Sequence, residues 1–130
     1  MRRTIFIFAA VLAAAAAAAA RAQVQSDPEI AFRAVAEAGI RDALIDPESA
    51  RFKWDKPAIL LTDFKANRWA KPIPGAIGFE CGKVNSRNRM GGYSGFATFW
   101  VAIQGGVVVA HAIDDDIIDR AAASCKQYGL

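Results

Sequence analysis

The sequence predicts an α+β domain: an antiparallel sheet of about four strands, flanked by an N-terminal and a C-terminal helix and closed by one disulfide. Three observations carry this expectation. Helical spacing marks both ends of the chain, two-residue alternation fills the middle, and Gln104-Gly105-Gly106 separates two apolar runs as a tight hairpin does. The order of helix, strands and helix places both helices on one face of the sheet.

The chain opens with Met1-Arg2-Arg3, a short basic start, and continues through an uncharged run from Thr4 to Ala20. Ala20-Arg21-Ala22 sets small residues three and one positions before a cut ahead of Gln23, the layout of a secretory signal peptide over residues 1–22. The competing reading is an anchor helix, because about 17 apolar residues reach the lower limit of a membrane span. Alanine makes up most of that run, and the Ala-x-Ala site favours removal. No cysteine stands near the cut, which argues against a lipid anchor. The expectation is a periplasmic or secreted protein with no membrane span after cleavage.

Cleavage changes the charge argument. The 130-residue chain carries 16 Lys and Arg against 13 Asp and Glu, a net charge of +3. Arg2, Arg3 and Arg21 leave with the leader, so the two signs then balance. Steering of nucleic acid by total charge is thereby excluded, and only local patches remain. Residues 23–130 read as one ordinary domain without repeats.

Ser26-Asp27-Pro28-Glu29 signals a helix start, with Asp27 or Ser26 as N-cap and Pro28 as first helical residue. Phe32, Val35, Ala36, Gly39, Ile40 and Ala43 fall on one face at helical spacing. Arg33, Glu37 and Arg41 recur every fourth residue on the other, which suits a solvated ion-pair ladder. Asp46-Pro47 ends the helix.

Arg51 to Asp55 alternates like a half-buried strand, and Ala58 to Thr62 is a short apolar strand. Asp63 to Pro74 reads as a long excursion with at most a short hairpin, since Pro72 and Pro74 argue against a central strand. Ile77, Phe79 and Cys81 alternate, with Cys81 on the apolar face and Gly82 marking a bulge or a close backbone approach. Asn85 to Gly92 is a polar loop. Thr98 to Ile103 places Phe99, Val101 and Ile103 on one face and Trp100 on the other. Val107 to Ile113 returns as its hairpin partner, and its β-branched density suggests a central position. The closing helix buries Ile117, Ile118, Ala121, Cys125 and Tyr128 and stops at Gly129.

Two cysteines in an exported chain are most simply a disulfide, Cys81 to Cys125, pinning the last helix to the sheet. The functional rival is a small thiol enzyme or hydrolase with a Cys81 nucleophile assisted by His111. That chemistry needs a free thiol, and the chain lacks any known protease signature. His111, the only histidine, reads as bonded within the sheet. Asp114, Asp115, Asp116 and Asp119 read as helix-capping acids. They lack the alternating spacing and central glycine of a calcium loop, so no metal is expected. Gly78 to Lys83 is one residue too short for a phosphate loop, and Val84 stands where a hydroxyl would hold magnesium. No cofactor is called for.

Lys83, Asn85, Arg87, Asn88, Arg89 and Tyr93 form the candidate ligand-binding set, basic and amide groups beside a glycine-rich turn. The bland alternative is a solvated loop whose asparagines cap its own backbone.

Three segments carry a resemblance: Leu44-Ile45-Asp46-Pro47-Glu48-Ser49-Ala50-Arg51-Phe52, then Cys81-Gly82-Lys83-Val84-Asn85, then Gly91-Gly92-Tyr93-Ser94-Gly95-Phe96. Together they are similar to a group of small exported bacterial proteins that join an Asp-Pro-x-Ser-Ala-x-Phe segment to Cys-Gly-x-Val-Asn and Gly-Gly-Tyr-x-Gly-Phe. The resemblance implies a bacterial, envelope-located domain and brings no activity with it. The expected role is non-enzymatic binding of a protein or an anionic, sugar-like envelope ligand through residues 83–93. Inhibition of a wall-degrading enzyme is a further alternative, on fold analogy alone.

Overall fold

The computed structural model describes residues 28–115 and 119–130. The chain divides after Ala31 into two units. The first contributes only the opening turn of a helix to the described residues. The second, Phe32–Leu130, holds everything discussed below. The leader, Ser26, Asp27, Asp116, Ile117 and Ile118 lie outside the described residues.

The elements are α1 (Pro28–Arg41), a 3₁₀ turn (Pro47–Ser49), β1 (Arg51–Trp54), β2 (Ile59–Phe64), β3 (Ile73–Asn85), β4 (Ala97–Gln104), β5 (Val107–Ile113) and α2 (Arg120–Gln127). All pairings are antiparallel. The sheet runs β1-β3-β4-β5, and β2 lies beside β1 on the same edge of β3. Pro28 is the first residue of α1, as expected, but the helix ends at Arg41, short of Asp46-Pro47. Its carbonyls are released through tighter bonds, from Ala43 N–H to Ile40 O and from Leu44 N–H to Arg41 O.

The two helices cover opposite faces, which corrects the single-face expectation. One core joins Ala36 and Ile40 of α1 to Val84, Phe99, Val101 and Ile103. The other joins Ala121 and Cys125 of α2 to Ile77, Phe79, Cys81, Trp100 and Ala102. The reason is in β4, where Phe99 to Ile103 are buried without a break. A strand apolar on both sides needs cover on both sides.

β5 is an edge strand, not a central one, because it pairs with β4 alone. Its register slips between Ala102 and Ile103, so Val109 is an extra residue, 38% exposed, and Val107 is 62% exposed. β-branched density therefore reflected strand propensity and not burial. The turn before it is as expected, with both central residues, Gly105 (φ 59°) and Gly106 (φ 75°), in the left-handed region of a type I′ hairpin.

β3 is longer than its alternating centre suggested and includes Pro74. Pairing with β4 begins only at Gly78, so at Pro74 one side of the strand is open and the missing N–H breaks no ladder. This end of the hairpin is bent. Phe64 pairs with Ile73 and Trp100 with Cys81. A straight strand would separate those levels by about 26 Å, yet the two rings lie 5.5 Å apart. The bend coincides with a register shift beside Asp63 (φ 54°) and Gly75 (φ 92°). Gly82 is a close approach, as expected, since a Cβ there would sit 2.7 Å from the Phe99 ring and 2.9 Å from Lys53 O.

The charged row of α1 keeps one rung of the expected ladder, Arg41 Nη2 to Glu37 Oε2 at 4.0 Å, but its other contacts reach the sheet. Arg33 donates from Nε (2.9 Å) and Nη2 (2.7 Å) to Oε1 of Glu80, whose side chain is fully buried on β3. Glu37 accepts from the Trp54 indole at 3.1 Å. The guanidinium of Arg33 lies 5.1 Å from the Trp54 ring, and that of Arg41 lies 5.1 Å from Phe52. Ala34 and Ala38 face outward instead. Long arginine stems cover aromatic surface while their heads reach polar partners, so this face packs inward.

Cys81 and Cys125 form the disulfide across 44 sequence positions. α2 closes on a Schellman arrangement, with Leu130 N–H bonded to Cys125 O (2.9 Å) and Gly129 N–H to Lys126 O (3.1 Å), around Gly129 at φ 75°. Asp114 caps its start, accepting from Ala121 N–H (2.6 Å) and Ala122 N–H (2.9 Å). Asp119 occupies the N-cap position without a side-chain bond.

Two outcomes test this account. The double change Cys81→Ala, Cys125→Ala should lower unfolding stability by about 4 kcal/mol, read from urea midpoints. A loss below about 1 kcal/mol would show that packing alone seats α2. Arg33→Met should cost about 3 kcal/mol, because it removes the guanidinium that is hydrogen-bonded to a buried carboxylate. Adding Glu80→Leu should return part of that loss.

Candidate functional site

The expected binding residues all lie where β3 leaves the sheet, but they divide into two kinds. Asn85 and Asn88 are spent on the loop itself. Asn85 Oδ1 accepts from Gly95 N–H at 3.2 Å, and Asn88 Oδ1 accepts from Met90 N–H (3.0 Å) and Gly92 N–H (3.2 Å). Asparagine side chains replacing backbone partners is turn chemistry. Tyr93 is 37% exposed and donates its hydroxyl to Ser49 O at 3.0 Å. These three residues shape the loop. Lys83, Arg87 and Arg89 remain as exposed cations.

Ser49 ties the loop to the segment before β1. Its hydroxyl donates to Asp46 O (2.8 Å) and accepts from Arg87 N–H (2.8 Å), while Arg41 Nη1 donates to Pro47 O (2.6 Å). The Asp-Pro-Glu-Ser and Gly-Gly-Tyr stretches, distant in sequence, thus form one hydrogen-bonded corner.

The structure adds cations that sequence reading left in an ordinary strand. Arg51 and Lys53 of β1 alternate with the half-buried Phe52 and Trp54, so they project from the other face. Lys53 lies directly opposite Lys83 in the register. The Arg51 guanidinium sits 4.4 Å from the Tyr93 ring and that of Arg87 5.7 Å from it; the Lys53 ammonium sits 4.0 Å from the Phe96 ring. Among the described residues, none of Arg51, Lys53, Lys83 and Arg87 forms a salt bridge. Ring faces hold these cations in place without neutralising them. Alternation in Arg51-Phe52-Lys53-Trp54 was the available signal, and only the pairing of β1 with β3 gives it meaning.

The residues named for other chemistries are not brought together. Cys81 is disulfide-bonded and faces α2, whereas His111 sits across from Val101 on the α1 face, exposed on the edge strand. His111 makes no side-chain hydrogen bond among the described residues, so it is not the bonded sheet histidine expected. The Asp114 carboxylate is occupied at the start of α2. Among the described residues no cluster of His, Cys, Asp and Glu is placed to hold a metal, and no helix is long and apolar enough to cross a membrane. Trp54 and Trp100 are core or boundary residues, but Trp69 is 86% exposed.

Comparisons with family models, curated proteins and solved structures return no match.

Ser49→Ala removes one acceptor and one donor from the corner. It should cost about 1 kcal/mol and speed amide exchange at Arg87, with little change at Ala102 in the sheet centre.

Proposed function

We propose that this chain is an exported, non-enzymatic binding domain that holds an anionic envelope partner through Arg51, Lys53, Lys83 and Arg87. The reading rests on one observation: three of these four cations lie over aromatic rings, and none is paired with a carboxylate among the described residues. A surface cation that serves only the fold is ordinarily solvated freely or matched by an acid. Lys53 and Lys83 are instead held opposite each other, an unfavourable pair that a bound anion relieves. Guanidiniums suit carboxylate or phosphate oxygens in bidentate geometry, and lysines add point charge. Export is supported by the leader-like start and by the disulfide, which suits an oxidising compartment.

A sulfated oligosaccharide is a defined probe for this surface. Calorimetry should show binding that weakens as salt rises. The paired change Lys53→Ala, Lys83→Ala should weaken it about tenfold, and Arg51→Ala, Arg87→Ala by a similar factor. Arg89→Ala should matter less, because its side chain meets none of the rings. Equal affinity for wild type and both paired variants, at unchanged melting temperature, would remove this surface as the site.

A further inference from the structure

The connection between β2 and β3, residues 65–72, carries a group of side chains that neither the fold nor the cationic surface uses. Trp69 is 86% exposed, and its ring partner among the described residues is the guanidinium of Arg68, 5.7 Å from the ring centroid. Trp54 and Trp100, by contrast, lie in or against the two cores. A single exposed apolar residue is ordinary on a protein surface. What sets Trp69 apart is the company it keeps.

Lys65, Arg68 and Lys71 are all exposed, and none forms a salt bridge among the described residues. No acid stands within 65–72, and the nearest one before it is Asp63. The turn that carries these groups is held closed. Asn67 Oδ1 accepts from Trp69 N–H and from Ala70 N–H, both at 2.9 Å, and Asn67 O accepts from Ala70 N–H at 3.1 Å. Phe64 pairs with Ile73 at its base, and Ala66 packs against the core on the α2 side. An open aromatic ring and three unmatched cations are therefore presented together by a turn anchored in the core.

We infer that this hairpin end docks on an anionic lipid surface, with Trp69 at headgroup level and Lys65, Arg68 and Lys71 meeting the lipid phosphates. An indole joins an apolar body to a polar N–H, which suits it to the boundary between acyl chains and headgroups. Basic side chains beside it are drawn to the negative potential of such a surface. A small soluble anion would match the cations but leave the ring in water. A neutral apolar surface would cover the ring but leave the cations uncompensated. One aromatic anchor and three charges make a reversible, salt-sensitive attachment. The inference does not rest on the partner surface proposed above, because Lys53 and Lys83 pair toward the other end of β3.

Vesicles of phosphatidylglycerol and phosphatidylcholine in about equal parts, brominated on the acyl chains, supply the test. The form beginning at Gln23 keeps every described residue and the disulfide. It should sediment with these vesicles, lose tryptophan emission to the bromine and be released as salt rises, while vesicles of phosphatidylcholine alone retain little. Trp54 and Trp100, packed against the cores, lie out of reach of the quencher, so the loss reports Trp69. Trp69→Ser should abolish the quenching and weaken binding about tenfold, and Lys65→Ala with Arg68→Ala and Lys71→Ala should weaken it at least about tenfold. All four positions are exposed, so melting temperatures should not move. Glycerol phosphate at matched ionic strength should not displace the protein, which separates a bilayer from a free headgroup. Lys53→Ala with Lys83→Ala should leave the quenching as in wild type. Failure to sediment with the mixed vesicles overturns the inference, as does equal binding by Trp69→Ser. Loss of binding in the Lys53 and Lys83 variant, with the hairpin variants unaffected, assigns the lipid to the other surface and overturns it too.

Discussion

A carboxylate with no exposed surface stands at the middle of the sheet, and the orientation of α1 follows from its pairing with a guanidinium. Arg33 reaches one oxygen of Glu80 with two hydrogen bonds. Desolvating such a pair costs several kcal/mol, so the gain lies in what it prevents: either partner alone would be strongly unfavourable. Arg33 must therefore face the sheet, and helical periodicity carries Glu37 and Arg41 to the same side. The guanidiniums of Arg33 and Arg41 then lie over Trp54 and Phe52.

The next residue along the strand performs the matching task on the opposite face. Neighbouring strand residues point in opposite directions, so Glu80 fastens α1 and Cys81 fastens α2 from adjacent positions. One interaction is ionic and the other covalent. Together they explain why a helix–sheet–helix stack of modest size holds its layers in register, and why β3 is central. β3 carries both anchors, pairs with three other strands and ends in the loop that bears part of the cationic surface.

Much of this was legible beforehand, for identifiable reasons. The disulfide followed from two cysteines each at an apolar position of a periodic segment, and the hairpin from Gly105-Gly106. Asn88 as a self-capping turn residue was also readable, though it then counted equally as a ligand contact. What could not be read were pairings across long separations. The row Arg33, Glu37, Arg41 has the spacing of a solvated face, and nothing local reveals that Glu80 awaits it 47 positions on. Arg51 and Lys53 resembled the outer side of any strand until β1 was placed against Lys83. Pro74 argued against a strand correctly in general, but the rule assumes partners on both sides, and here one side is open. His111 and the β5 edge show the reverse error, in which composition suggested an interior that topology does not supply.

The dependence of every layer on β3 has a bearing on how the chain reaches this state. β1 and β2 both precede the strand they pair with, α1 must wait for the β3–β4 pair to exist, and the disulfide partner of Cys81 lies near the far end. The pairing of β1 with β3 and the Cys81–Cys125 bridge close long loops, whose entropy has to be met before their favourable energy is realised. A chain that stops short of β3 has no partner for either β1 or β2.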